Sequence, residues 1–111
     1  MRVPAPLSAR LAFLARVTRK ECRHLLETDA RLFGDLFTVQ VAQKIETDPI
    51  LAERLDAFVG RFGRLQDTVG DKLLPAVLSA LAETTGPAIE NLDKAERLGF
   101  IASADGWLES R

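Results

Sequence analysis

The sequence predicts an all-α fold, a bundle of four to five helices with one long central helix kinked near Pro75. Three observations carry that prediction. Apolar residues recur at steps of three and four along most of the 111 residues. Proline, glycine, serine and aspartate stand where helices start and stop. Strand signals are missing: there is no alternating Val/Ile/Thr run, no tyrosine, and no Asn-Gly or Asp-Gly turn between apolar runs.

A single domain is expected over residues 1–111, with residues 1–6 as a loose N-terminal arm. At 47% apolar and 28% charged residues the composition is that of an ordinary globule and not of a disordered chain. The first helix is expected from Leu7 to about Leu32. Leu7, Leu11, Leu14, Thr18, Cys22 and Leu25 form its inner stripe, Pro6 and Ser8 mark its start, and Gly34 ends it. A shorter helix is expected over Leu36 to Ile45, with Val39, Val41, Ala42 and Ile45 facing inward. Thr47-Asp48-Pro49 then reads as a cap followed by a proline in the first turn, where its missing N–H costs nothing.

The central helix is predicted from Pro49 to about Glu83. Leu51, Leu55, Phe58, Phe62, Leu65 and Val69 form a heptad-like seam, and a continuous helix would run about 50 Å. Pro75 should kink it, because a mid-helix proline removes a hydrogen bond and clashes with the preceding turn. Beyond the proline the apolar stripe rotates to Leu74, Val77, Leu78 and Leu81. Traced backward, that stripe meets Gly70, Asp67, Gly63 and Gly60. Three helical glycines cost roughly 3 kcal/mol relative to alanine, so a neighbouring helix is expected to pack closely there, the alternative being a solvated face. Thr85-Gly86-Pro87 opens a fourth helix, Pro87 to Leu98, stopped by Gly99. Ser103 caps a last helix carrying Asp105 in its first turn, with Trp107 and Leu108 as its apolar residues.

The chain is poor in reactive side chains. One cysteine, Cys22, excludes a disulfide framework and a Cys-rich zinc site. One histidine, His24, cannot build a two-His metal site, and no phosphate-cradling glycine loop precedes a Lys-Ser/Thr pair. No metal and no cofactor is expected. Arg19 and His24 fit an Arg-x4-His spacing found in some ribonucleases, but the match is weak, and a polar residue on the flank of an amphipathic helix is the better reading.

Charge is nearly balanced at −1 overall but unevenly placed. Residues 1–34 carry seven Lys/Arg against three acidic residues, and the remainder carries eight against thirteen. The two parts can complement each other within a monomer or between copies, and the basic first helix could also meet RNA, although a solvated charged face is the favoured reading. The helix-turn-helix spacing around Gly99 does not suit DNA, since its second helix offers Asp105 and Glu109 to the phosphates. No apolar run is long enough to span a bilayer, and no signal-peptide core follows the start, so a cytosolic location without membrane attachment is expected.

The stretch Leu55 to Pro75, above all Arg61-Phe62-Gly63-Arg64-Leu65-Gln66-Asp67, together with Asn91 to Gly99 and Ser103 to Leu108, resembles bacterial HEPN-type proteins. The likeness covers residues 7–111. Such proteins are small helical partners of minimal nucleotidyltransferases, often in toxin–antitoxin pairs. The resemblance implies a helical scaffold, a homodimer and a nucleotidyltransferase-type partner. It also implies an Arg-Asn-x-x-x-His ribonuclease motif after the Trp-Leu segment. No histidine follows His24, so the catalytic residues are not carried over, and the motif would fall past Arg111. The expectation is a dimerising, partner-binding scaffold without the ribonuclease motif. The alternatives are an active or truncated ribonuclease toxin and an unrelated helical adaptor. Arg61, Arg64, Gln66 and Asp67 are the candidate partner- or cleft-facing residues. An ordinary helix-surface pairing of Arg with Asp is the competing explanation.

Overall fold

The computed structural model describes residues 3–110, and among them there is no strand. The helices are α1 (Ala5–Phe33), α2 (Val39–Gln43) with a 3-10 extension (Lys44–Glu46), α3 (Pro49–Asp67), α4 (Leu74–Ala80), α5 (Ala88–Arg97) and α6 (Ala104–Glu109). A π-helical stretch, Thr68–Leu73, joins α3 to α4 without a break, so one bent helix of 32 residues runs from Pro49 to residue 80. Counted this way there are five helices among the described residues, in the class and number predicted. Of the expected N-terminal arm, residues 1 and 2 lie outside the described residues, while Ala5 and Pro6 are already helical.

The kink anticipated at Pro75 is realised upstream of it. Proline has no N–H to donate and its ring crowds the carbonyl four residues back. The chain accommodates this by widening the preceding turns, and the Leu74 N–H donates to the carbonyl of Val69, five residues earlier. Pro75 then sits harmlessly in the first turn of α4. Each wide turn holds an extra residue, which rotates the apolar stripe and accounts for the shift seen in the sequence.

The helix ends at Ala80, short of the expected Glu83. Ala82 takes a left-handed conformation (φ 59°), and the Glu83 N–H bonds back to the Leu78 carbonyl at 2.9 Å. Leu81 therefore leaves the inner stripe and is 41% exposed. Val39 also departs from expectation at 71% exposed. Val41, Ala42 and Ile45 share the inner face of the α2 segment, and Val39, two positions before Val41, points about 200° away from it. That helix starts only at Val39, because the Thr38 hydroxyl caps it by accepting from the Val41 N–H.

The chain folds as two compact units, one of Arg19–Leu65 and one of the residues before and after that segment. In the first, the C-terminal half of α1 packs on α3. Leu32 and Thr28 are buried there. Phe33 meets Phe37 and Phe58 edge-on, each with ring centroids 5.3 Å apart, and Phe58 stacks on Phe62 at 6.2 Å. Such pairs each contribute about 0.5–1.5 kcal/mol beyond their buried area. Asp48 starts α3 as expected, its Oδ1 accepting from the N–H groups of Ile50 and Leu51 at 3.1 Å.

In the second unit, Leu74 and Leu78 of α4, Leu92 and Ala95 of α5 and Ala104 of α6 form the core, with Ile101, Trp107 and Leu108 packed against it. The buried Asn91 side chain ties down the loop before α5, accepting from the Gly86 N–H and donating to the Gly86 carbonyl, both at 3.0 Å. α6 is capped by Ser103, whose hydroxyl accepts from the Gly106 N–H at 3.0 Å.

Candidate functional site

The four candidate residues have separate fates. Arg61 is half-buried and reaches across to α1, where its Nη1 donates to the His24 carbonyl at 2.9 Å and to the Thr28 hydroxyl. Thr28 donates in turn to the same carbonyl at 3.1 Å, so the three groups form a closed polar triangle between the two helices. Arg64 is exposed in the last turn of α3, with one guanidinium nitrogen near the bare face of Gly60. Gln66 is buried and donates through Nε2 to the Ser110 hydroxyl at 2.7 Å, and that hydroxyl donates on to the Trp107 carbonyl at 2.8 Å. Asp67 is exposed and engaged with a neighbour. Gln66 thus anchors the end of α6, and Arg61 couples α3 to α1.

Two cavities attract notice. Within Arg19–Leu65, a groove of about 330 Å³ runs between α1 and α3 and is lined by Thr28, Arg31, Ile50, Glu53, Arg54, Ala57 and Arg61. Of the four sequence candidates only Arg61 belongs to it. Arg31 and Arg54 went unrecognised in the sequence, although Arg54 and Arg61 stand seven residues apart, two turns on one face. Which helix would face that pair was not legible.

In the other unit, an apolar pocket of about 220 Å³ is bounded by Val69, Gly70, Leu73, Leu74, Val77, Leu92, Phe100, Ile101 and Trp107. The π-helical stretch forms one wall, and the turn after α5 with the α6 indole forms the other. Of the glycine stripe, Gly70 alone lies against a neighbour. A Cβ there would come within 3.3 Å of Trp107 Nε1, whereas Gly63 faces open space and Gly60 meets only the Arg64 side chain. The close approach expected along the stripe is confined to Gly70, where the short helix α6 supplies the indole.

Among the described residues no three His, Cys, Asp or Glu side chains gather. Cys22 is a half-buried free thiol. No helix of the described residues is long and apolar enough to cross a membrane. Compared with protein-family models, with curated proteins and with solved structures, the chain matches none.

Proposed function

We propose that this chain is a helical scaffold that works by binding another protein, as a homodimer carrying a minimal nucleotidyltransferase-type partner in the manner of the HEPN-type proteins its central helix resembles. The observation that carries this reading is the apolar pocket beside Trp107. It opens to solvent among aliphatic side chains, with Phe100 at its edge left 51% exposed. Ile89 and Leu98 of the same unit are 56% and 43% exposed. An apolar pocket left open to water is a feature of surfaces that meet partners. Of the polar residues singled out in the central helix, Arg61 and Gln66 hold helices together.

Sedimentation across a range of protein concentrations, combined with binding to a separately purified minimal nucleotidyltransferase, tests the proposal. Self-association and retention of that enzyme are expected, both weakened at least tenfold by Phe100→Asp, which places a charge in the apolar contact. A chain that stays monomeric and retains no nucleotidyltransferase overturns it. So does RNA cleavage by the purified chain that is lost in His24→Ala.

A further inference from the structure

We infer that the groove between the C-terminal half of α1 and α3 binds a phosphate-bearing ligand through Arg31, Arg54 and Arg61. The groove carries three guanidiniums against one carboxylate, Glu53. Arg61 is half-buried, and its acceptors are both neutral, the His24 carbonyl and the Thr28 hydroxyl. A cation partly withdrawn from water with only neutral acceptors is incompletely compensated, and an anion brought to it completes the site. Both bonds leave from Nη1, so the opposite edge of the planar fork is available for a bidentate oxyanion.

Arg31 and Arg54 supply the remaining charge. Both are exposed, and neither guanidinium has an ion pair or hydrogen bond among the described residues. Arg54 lies two turns before Arg61 on α3, about 10.5 Å along the axis, and Ala57 between them keeps the floor low. Arg31 faces that stripe from α1, one turn beyond Thr28. One guanidinium is therefore fixed in place by α1 while two others swing on flexible stems from either side. A tetrahedral, multiply charged oxyanion can engage all three, and the volume of about 330 Å³ leaves room for part of the molecule that bears it.

This inference is independent of the partner-binding proposal, because a monomer contains the whole groove. The test is an NMR titration of the full chain, following the arginine Nε–Hε signals, with inorganic phosphate, adenosine monophosphate, a short single-stranded oligoribonucleotide and a glutamate-rich peptide as separate probes. Saturable shifts at Arg31, Arg54 and Arg61 are expected with a phosphate probe. Affinity should fall about tenfold in Arg31→Ala and in Arg54→Ala, rise a few-fold in Glu53→Gln, and weaken with added salt. Arg31 and Arg54 are chosen because neither supports the fold. Saturation by inorganic phosphate assigns the site to free oxyanions, and saturation only by the nucleotide or the oligomer assigns it to nucleotide phosphates. No saturable shift with any phosphate probe, unchanged affinity in both arginine variants, or tighter binding of the acidic peptide would each overturn the inference.

Discussion

Ala82 (φ 59°) and Gly99 (φ 80°) occupy the same left-handed position just past the ends of α4 and α5. In both places the next residue donates back to a carbonyl five positions earlier, Glu83 to Leu78 at 2.9 Å and Phe100 to Ala95 at 2.8 Å. Glycine adopts that conformation freely, while an alanine Cβ crowds its own backbone at a cost of about 1–2 kcal/mol. Ala82→Gly should therefore stabilise the protein by about 1 kcal/mol, read from the urea midpoint at unchanged m-value. The helical glycines make a second, opposed pair. Gly63 faces open space, so Gly63→Ala should gain about 0.5–1 kcal/mol of helix propensity. Gly70→Ala pushes a methyl against the Trp107 indole and should forfeit that gain. Its signature is a shifted tryptophan emission, which Gly63→Ala will not show.

At the scale of elements, the bent helix and α6 depend on different things. Pro75 announced the bend in the sequence, since no neighbour is needed for a proline to lose its hydrogen bond. Where the bend falls was not announced. The Leu74-to-Val69 hydrogen bond places the irregularity in the turns before the proline, and those turns carry Gly70 beneath the indole. α6 has six residues, too few to persist as an isolated helix. Tertiary attachments hold it: the Ala104 N–H donates to Glu96 Oε1 at 3.0 Å, Gln66 reaches Ser110, and Trp107 lies on Gly70. Ser103 adds a local cap that was legible in the sequence. Ser103→Ala should cost about 1 kcal/mol, and hydrogen exchange should speed up first at the α6 amides, ahead of those of α4.

For the whole molecule, the strongest lever is Leu78, which is 0% exposed at the centre of the α4–α5–α6 core. Leu78→Ala should destabilise by about 2–5 kcal/mol, the range for a buried leucine whose surroundings relax only in part. The chain also forms two compact units, and Leu78 belongs to the one that excludes Arg19–Leu65. Thermal unfolding of Leu78→Ala followed by tryptophan fluorescence, which reports on Trp107, should show the full loss. Protection of the Phe33–Phe58 region under hydrogen exchange reads the other unit by itself.

The all-α class, the helix count, the caps at Asp48 and Ser103 and the stop at Gly99 were determined by the sequence alone. Each depends on local chemistry: a periodicity, a side-chain oxygen within reach of the next turn's N–H groups, or a residue that tolerates positive φ. Only the tertiary structure decided what the polar residues of the central helix do. Arg61, Gln66 and Asp67 looked alike as candidates, yet Arg61 bonds to a carbonyl 37 residues away and Gln66 to a hydroxyl 44 residues away. No local spacing encodes partners at that separation. The same reason hid the arginine groove and the apolar pocket, since each is made by helices that approach one another only when the chain has folded.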